Sequence, residues 1–376
     1  MRVRLARSPF PDQLFPERGS PKTLHKLFAT GAMDVPSSIK IDSPLPMSRK
    51  PAPFVCVLLT LGLLLPGSAR AASYKYLRSG QAANRTAPTT AGTALMGGGS
   101  DLDVAFKWLC DRAGAGDFLI LRARGDDSYN SYVRELCSLN SVATLVISNR
   151  KAASDPAVAA IIHDAEAIFI AGGDQARYVR FWRKTPVEDA LNAHIAAGKP
   201  LGGTSAGLAV LGQFSFAALH DTVVSREALA NPFHKRVTLT RDFLRVSLLA
   251  NTITDTHFAA RDRMGRTLVF LARLMQEGWS PAPRSIAVDE KAAVLVEADG
   301  SASVVGSGAA YFLRPTDPPV VCQPKTPLTF RNIATYRVPQ GQHFDLVHWT
   351  GTGGASYSLS VDRGVIVSTQ PGGSVY

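Results

Sequence analysis

The chain has 376 residues, of which 45% are hydrophobic and 19% charged, and this composition excludes a predominantly disordered protein. The net charge of +11 comes largely from the first 71 residues, which hold 10 Lys/Arg and 4 Asp/Glu and leave +5 for the remainder. Those remaining basic residues are spread along the chain without interleaved aromatic residues. The sequence therefore argues against a nucleic-acid-binding surface.

Residues 47–71 have the pattern of a secretory signal peptide, with a basic start, an apolar run over 54–65 and an A-x-A site at 69–71. The apolar run is too short for the ~20 residues of a membrane-spanning helix. We expect cleavage between Ala71 and Ala72, a secreted or periplasmic product and no membrane association afterwards. Residues 1–46 are predicted as a leader that translation from Met47 would omit; a long targeting extension is the alternative.

Residues 72–92 are predicted as a linker, and residues 93–322 as a doubly wound, mostly parallel α/β domain. Short apolar runs alternate there with segments of helical periodicity, which is typical of a parallel sheet covered on both faces. The predicted strands are 94–96, 118–121, 143–147 and 167–170. The predicted helices are 103–112, 129–136, 155–165, 178–182 and 188–197.

The second half of the chain changes character after Leu274. Short strands are predicted at 284–288, 292–296, 302–305 and 310–313. Residues 323–376, rich in Gly, Ser, Thr and aromatic residues, are predicted as a β-rich C-terminal appendage of about two hairpins.

Cys110, Cys137 and Cys322 are the cysteines that follow the predicted cleavage site. Their odd number and their spacing indicate neither a disulfide framework nor a metal site. One disulfide in an oxidising compartment and three buried thiols both remain open.

The segment 203–207, GTSAG, fits the G-x-S-x-G pattern, in which a serine lies on a sharp turn between a strand and a helix. Residues 199–202 can form the strand, and 208–211 can begin the helix. Glycines on both sides of Ser205 would avoid clashes of Cβ atoms. The alternative is a glycine-rich turn without chemistry.

The segment 171–175, AGGDQ, directly follows an apolar predicted strand, and ligands of open α/β sheets bind at the carboxyl ends of strands. Two strand ends are thus expected to converge at Ser205. We predict that the N–H groups of Gly173 and Ala206 form an oxyanion hole. A phosphate-binding loop is the weaker alternative, because the sequence has no G-x-G-x-x-G or Walker motif.

His257 is the predicted base for Ser205, because it follows a β-branched stretch at an expected strand end and precedes a helix. Arg261, Arg263 and Arg266 follow within nine residues. Three cations beside a nucleophile and base would attract an acidic or carboxylate-bearing substrate. A solvated helix face is the alternative for these arginines.

Three motifs, taken in order, resemble the cyanophycinase family of serine peptidases, peptidase family S51. They are GGDQ at 172–175, GTSAG at 203–207, and DTHF at 255–258 with the arginines after it. The resemblance covers residues 95–313. It implies a flavodoxin-like domain of the class I glutamine-amidotransferase type, with serine in place of cysteine at the turn and with no metal or cofactor. It also implies that Ser205 is the nucleophile and His257 the base. For the acid it implies Glu227 first and Glu290 second, the latter fitting the related dipeptidase E branch.

The resemblance further implies a peptide or polypeptide substrate that contains aspartate. Cyanophycinases hydrolyse a poly-aspartate backbone carrying arginine, and dipeptidase E cleaves α-aspartyl dipeptides. Thr256 stands where cyanophycinases typically have glutamine, so the natural substrate stays open between cyanophycin and another aspartyl peptide or isopeptide. The expected substrate-binding residues are Asp174, Gln175, Asp255, Arg261 and Arg263.

Two other functions fit the same residues. An esterase or transacylase would use the same triad and resolve the acyl-serine with water or another nucleophile. A non-catalytic binding protein could keep the fold, although the intact Ser205 and His257 argue against it. The sequence leaves the oligomeric state open, with a homodimer as one option. The favoured prediction is an exported serine peptidase acting next to aspartyl residues.

Overall fold

The computed structural model describes residues 73–376, so the predicted leader, 1–46, and signal peptide, 47–71, lie outside the described residues. The described strands are β1 (Lys75–Gly80), β2 (Gly92–Met96), β3 (Asp117–Arg122), β4 (Ser141–Val146), β5 (Ala167–Ile170), β6 (Leu201–Thr204), β7 (Phe214–Phe216), β8 (Leu239–Arg241), β9 (Thr252–Asp255), β10 (Arg284–Val288), β11 (Ala292–Glu297), β12 (Ser301–Gly306), β13 (Ala309–Pro315), β14 (Phe330–Pro339), β15 (His343–Asp345), β16 (Thr350–Thr352), β17 (Ala355–Asp362) and β18 (Val365–Ser368).

The α-helices are α1 (Asp103–Arg112), α2 (Ser128–Leu136), α3 (Arg150–Ala153), α4 (Pro156–Asp164), α5 (Gln175–Trp182), α6 (Pro186–Ala196), α7 (Ser225–Ala230) and α8 (Met264–Gln276). Short 3-10 turns occur at Leu208–Val210, Ser247–Leu249 and Pro371–Gly373.

A ten-stranded sheet has the order β1-β4-β3-β5-β6-β2-β11-β12-β15-β16, and we call it the first sheet. Its strands β4, β3, β5, β6 and β2 run parallel to their neighbours within this group. Side chains of β3 point alternately into two apolar cores, one on each face of the sheet. Leu119 packs in the core that contains residues of α4, α5 and α6, and Phe118 packs in the core that contains residues of α1 and α2. Helices therefore cover both faces, and the predicted doubly wound α/β fold is confirmed.

An eight-stranded sheet has the order β18-β17-β14-β13-β10-β9-β7-β8, and we call it the second sheet. In this sheet β9 is parallel to β10 and to β7, and the other pairs are antiparallel. One of its faces shares a core with the first sheet, where Ile286 and Phe312 pack with Val294 and Phe344. The opposite face packs against α8 through residues such as Tyr311.

The β-rich character predicted for residues 323–376 is confirmed, but these strands are not a separate appendage. β14 pairs with β13 along Ala309–Pro315, and β15 pairs with β12. Buried Phe330 and Leu359 belong to the core of the second sheet. The strands after residue 323 therefore complete both sheets, because their apolar faces are buried against elements that precede them in the chain.

Two local predictions also differ from the structure. The predicted linker, 72–92, contains β1, an edge strand that pairs antiparallel with β4. The helix predicted after Ser205 is a single 3-10 turn, since the chain reaches β7 at Phe214. A Cβ atom at Gly212 would lie 2.6 Å from the carbonyl oxygen of Thr252, so the chain turns tightly into the second sheet there.

Cys110 and Cys137 form a disulfide that links the end of α1 to the residue after α2. Cys322 is a free, buried thiol among the apolar residues around the second sheet. The sequence left open either one disulfide or three buried thiols. The structure has one disulfide, and its free cysteine is buried.

Candidate active site

Ser205 lies at the end of β6 on a turn whose geometry explains the G-x-S-x-G pattern. Its φ of +52° is in the left-handed region, and its N–H donates to the carbonyl of Met96 at 3.1 Å. A Cβ atom at Gly203 would lie 2.7 Å from the backbone of Gly207, and one at Gly207 would lie 1.9 Å from the carbonyl oxygen of Ile170. Only glycine fits at these two positions, and the turn projects the Ser205 side chain away from the sheet.

His257 follows β9 of the second sheet and lies against Ser205. Its own φ is +47°, and its N–H donates to the carbonyl of Gly97 at 2.8 Å. The distance from Ser205 Oγ to His257 Nε2 is 2.7 Å. This is hydrogen-bond distance for a hydroxyl and an unprotonated imidazole nitrogen.

Glu290 lies in the turn between β10 and β11, on the other side of the imidazole. Its Oε1 is 2.6 Å from His257 Nδ1. The neighbouring Asp289 accepts a hydrogen bond from the N–H of Ala259 at 2.9 Å, which ties this turn to the segment after His257. Ser205, His257 and Glu290 therefore form a hydrogen-bonded row, which we call the triad row, in the arrangement that serine hydrolases use to activate the nucleophile.

Electrostatics favour a neutral imidazole and an ionised carboxylate in the triad row. Burial lowers the pKa of His257 below its usual value, although the hydrogen bond with Glu290 acts in the opposite direction. The hydrogen bond with His257 in turn lowers the pKa of Glu290. At neutral pH His257 Nδ1–H thus donates to Glu290, and Nε2 can accept the proton of Ser205.

Glu227, the first choice for the acid, lies elsewhere. It is on α7, and its carboxylate is 3.1 Å from Arg236 Nη1. The family resemblance implied it, but α7 packs on α8 rather than beside the imidazole. The second choice, Glu290, is the carboxylate that contacts His257.

A glycine loop over the imidazole, Gly97–Gly98–Gly99, is a part of the site that the sequence analysis missed. Gly98 has a φ of +96°, and a Cβ atom there would lie 2.5 Å from His257 Cε1. A Cβ atom at Gly99 would lie 3.1 Å from Glu290 Cβ. The available signal was a run of glycines directly after an apolar strand, the same signal that marks Gly172 and Gly173.

The triad row opens into a cleft with a volume of about 370 Å³. Its lining comes from the ends of β5, β6 and β9 and from the segments that follow β7 and β9. These residues are Gly173, Asp174, Gln175, Ala176, Arg180, Ser205, Ala206, Ala218, Leu219, Asp221, Thr222, Thr256, His257, Arg261 and Arg263.

Gly173 and Ala206, the predicted oxyanion-hole residues, both line this cleft. Gly173 has a φ of +147°, and Tyr178 Oη donates to the carbonyl of Ala171 at 2.7 Å beneath it. Within residues 73–376, neither the N–H of Gly173 nor that of Ala206 donates to a protein acceptor. Both donors are therefore available to an oxyanion bound beside Ser205.

Asp174 and Gln175 line the cleft but differ in what they can offer a ligand. Asp174 is the N-cap of α5, because its Oδ1 accepts from the N–H of Ala176 at 2.9 Å. Gln175 Nε2 is 3.5 Å from the carbonyl oxygen of Phe216, a long contact that a substrate could replace. Gln175 is thus the more available polar contact of the two.

Arg261 and Arg263 both line the cleft and bring positive charge to it. The Arg261 side chain is 53% exposed, and its Nε is 3.6 Å from Glu290 Oε1. Arg263 is mostly buried and donates from Nη1 to the carbonyl of Thr256 at 2.8 Å. Burial lowers the pKa of Arg263 to about 10, so the guanidinium remains charged at neutral pH.

Asp255 and Arg266 do not line the cleft. Asp255 is buried and accepts hydrogen bonds from Arg266 Nε at 2.9 Å and from Thr267 Oγ1 at 2.8 Å. Burial opposes the ionisation of this carboxylate, but the Arg266 guanidinium lowers its pKa. Asp255 was expected to bind substrate, whereas it anchors α8 and lies 3.6 Å from Arg263 Nη1. Arg266 is also buried, so the alternative prediction of a solvent-exposed helix face does not hold for this arginine.

Residues 73–376 contain no group of three or more His, Cys, Asp or Glu side chains arranged to hold a metal ion. In the same part of the chain, no helix has the length and apolar character needed to cross a membrane.

Comparisons with known proteins agree with the motifs. The model of peptidase family S51 matches residues 122–230. A cyanophycinase of Trichormus variabilis is 28% identical over 226 residues, which is 58% of this chain and 70% of the relative. A cyanophycinase of Synechococcus elongatus is 30% identical over 217 residues, which is 55% of this chain and 62% of the relative. A peptidase crystal structure from an acI-B1 Actinobacterium matches 69% of this chain and 98% of its own, with a TM-score of 0.45 and 18% identity.

The family match and the two relatives extend over the segments that carry GGDQ and GTSAG. The match to a peptidase family and to two cyanophycinases indicates a serine-type hydrolase that acts on peptides. The resemblance predicted from the motifs is confirmed: the chain is similar to peptidase family S51 over residues 122–230 and to cyanophycinases over more than half of its length, and these similarities indicate a serine-type peptidase.

Proposed function

We propose that this protein is an exported serine peptidase that hydrolyses peptide or isopeptide bonds next to aspartyl residues through an acyl-serine intermediate. The triad row carries the proposal. Ser205 Oγ lies 2.7 Å from His257 Nε2, and His257 Nδ1 lies 2.6 Å from Glu290 Oε1, at the wall of a cleft that also contains Arg261 and Arg263.

In the acylation step, Ser205 Oγ attacks the substrate carbonyl carbon while His257 Nε2 takes the hydroxyl proton. Glu290 accepts the hydrogen bond from Nδ1–H and stabilises the imidazolium that forms. The N–H groups of Gly173 and Ala206 donate to the oxyanion of the tetrahedral intermediate. The C–N bond then breaks, the amine leaves with the proton from His257 Nε2, and the acyl group stays on Ser205.

In the deacylation step, a water molecule attacks the ester carbonyl while His257 Nε2 takes its proton. Breaking the ester bond returns that proton to Ser205 Oγ and releases the carboxylic acid product. The lowered pKa of His257 suits this cycle, because the imidazole starts each step unprotonated at neutral pH.

The two arginines of the cleft support selectivity for an acidic group beside the scissile bond. Arg261 is half-exposed at the cleft and can turn its guanidinium toward a ligand carboxylate. Arg263 already uses Nη1 on Thr256, so it contributes its charge and its remaining N–H groups. Charge-assisted hydrogen bonds of this kind are strong and prefer a carboxylate over a neutral amide.

Export is part of the proposal and rests on two observations. The sequence of residues 47–71 has the signal-peptide pattern, with cleavage expected near Ala71 and Ala72. The Cys110–Cys137 disulfide fits an oxidising compartment such as the periplasm or the medium. Mass analysis of the exported protein tests this part, and an intact Met1 or Met47 terminus would contradict it.

The substrate class is tested with Arg261→Ala on an aspartyl peptide and on its asparaginyl isostere. We expect kcat/KM for the aspartyl peptide to fall about 10- to 100-fold, since a charge-assisted hydrogen bond is lost. The asparaginyl peptide should change by less than about 3-fold, because it carries no charge for Arg261 to bind.

Arg331→Ala is the matched control, because Arg331 is an exposed arginine on β14 outside the cleft. It should leave both substrates at wild-type rates. Equal losses on the two substrates in Arg261→Ala, or none, would contradict the acidic specificity while leaving the serine mechanism intact.

A further inference from the structure

Tyr376 lies against the segment that joins His257 to α8. Its Oη accepts a hydrogen bond from the N–H of Met264 at 2.9 Å and donates to Asp262 Oδ1 at 2.9 Å. Its ring meets the ring of Phe258 edge-on, with centroids 5.6 Å apart. One side chain thus contacts the residue after His257, the residue between Arg261 and Arg263, and the start of α8.

The segment needs such contacts because its backbone is strained. Asp262 has a φ of +45°, in the left-handed region that non-glycine residues seldom adopt. Ser225 Oγ donates to the carbonyl of Asp262, and it accepts from the N–H of Arg266 at 3.2 Å. Asp262 is therefore held through its backbone by Ser225 and through its side chain by Tyr376.

The start of α8 also lacks a cap from its own sequence. Arg263 is the N-cap residue and makes no side-chain cap hydrogen bond. The first N–H groups of a helix have no partner within the helix, so the Tyr376 hydroxyl satisfies one of them from a segment more than a hundred residues away.

Tyr376 is itself fixed to the second sheet. Tyr357 on β17 donates from Oη to the carbonyl of Val375 at 3.0 Å. Gln370 Nε2 donates to the carbonyl of Ser374 at 2.9 Å. The Tyr376 side chain therefore connects the outer strands of the second sheet to the arginine segment at the cleft.

We propose that Tyr376 is a positioning residue for substrate specificity: its hydroxyl holds Asp262 and the start of α8, and thereby fixes Arg261 and Arg263 at the cleft. This inference rests on the proposed role of those arginines in binding an acidic group. Tyr376 lies outside the lining of the cleft, so it acts through the arginines and not on the substrate.

The test is Tyr376→Phe, which keeps the ring contacts and removes the hydroxyl. We expect KM for the aspartyl peptide to rise about 5- to 10-fold with kcat changed less than about 2-fold, as the hydroxyl's hydrogen bonds with Met264 and Asp262, which position the arginines, are lost. The asparaginyl peptide should keep its wild-type KM. Tyr132→Phe is the matched control, because Tyr132 Oη donates to Asp103 Oδ1 at 2.7 Å on α1, outside the cleft.

Two further measurements separate positioning from general damage. Amide exchange in the peptide 259–266 should speed up in Tyr376→Phe and not in Tyr132→Phe. Asp262→Ala should also raise KM for the aspartyl peptide, and the double variant should exceed Tyr376→Phe by little, because Tyr376→Phe already breaks the contact between Tyr376 Oη and Asp262. Asp262→Asn, which keeps an acceptor, should restore most of the wild-type KM.

Unchanged KM together with unchanged amide exchange in Tyr376→Phe would overturn the inference. A wild-type protein that cleaves no aspartyl peptide would instead contradict the proposed function. In that case amide exchange in residues 259–266 still tests whether Tyr376 holds this segment, because the measurement needs no substrate.

Discussion

Ser205 and His257 both adopt left-handed backbone conformations, with φ values of +52° and +47°. Each such residue costs about 1 to 3 kcal/mol, and the surrounding structure must stabilise it. The stabilising contacts are backbone hydrogen bonds from Ser205 to Met96 and from His257 to Gly97. Both acceptors lie at the end of β2, so one strand end fixes the nucleophile and the imidazole relative to each other.

The role of Glu290 is tested with Glu290→Gln. We expect kcat to fall about 10²- to 10⁴-fold, because the amide cannot stabilise the imidazolium as a carboxylate does. The acid limb of kcat/KM should also move to lower pH. Wild-type His257 already has a lowered pKa, and Glu290 opposes that lowering, so removal of its charge lowers the pKa further.

Glu227→Gln is the matched control, since its carboxylate pairs with Arg236. It should keep the wild-type kcat and pH profile. A larger loss in Glu227→Gln than in Glu290→Gln would show that the acid has been assigned to the wrong carboxylate.

The contact between Ser205 and His257 was predictable because each has a local signal: a glycine-flanked serine for one, a strand-end position for the other. The acid has no such signal. The family resemblance placed Glu227 first, whereas the carboxylate that contacts His257 lies in the turn that follows β10, the strand paired with β9. Asp255 was misassigned for a related reason, because adjacency to His257 does not reveal that its side chain points into the core.

At the scale of elements, the triad row depends on close backbone approaches that only glycine allows. A Cβ atom at Gly98 would lie 2.5 Å from His257 Cε1, and one at Gly207 would lie 1.9 Å from the carbonyl oxygen of Ile170 on β5. The strands of the central parallel group were predictable from their apolar runs, whereas β1 was missed. It is a partly exposed edge strand with a mixed polar sequence, KYLRSG, which gives no clear periodicity.

The glycine loop is tested with Gly98→Ala. The new Cβ would lie 2.5 Å from His257 Cε1 and 2.6 Å from Nε2, so the imidazole cannot keep its position against Ser205. We expect labelling by a fluorophosphonate probe to slow by more than about 10²-fold, because the base is displaced.

Gly341→Ala provides the control for this variant. Gly341 also has a positive φ, of +77°, but nothing lies within 4 Å of an added Cβ. It should lose about 1 to 2 kcal/mol of unfolding free energy and label at the wild-type rate. Equal labelling of the two variants would mean that the loop does not hold the imidazole.

At the scale of the whole molecule, the two sheets bring the site together. Ser205 follows β6 of the first sheet, His257 follows β9 of the second, and Glu290 lies where the chain crosses from β10 in the second to β11 in the first. The sequence predicted the doubly wound layer, whose helices and strands follow local periodicity. It did not predict the joining of the sheets, because that depends on pairings between distant strands such as β12 with β15.

In the proposed mechanism, Ser205 carries the acyl group of an aspartyl substrate. The most direct measurement is mass spectrometry of the protein quenched in acid during turnover of a β-aspartyl peptide, with the modified residue located by digestion. We predict an aspartyl adduct on Ser205, absent from a folded Ser205→Ala variant that has lost peptide hydrolysis by at least about 10³-fold. Hydrolysis at the wild-type rate by Ser205→Ala, or an adduct on another residue, would contradict the role of Ser205 as the nucleophile.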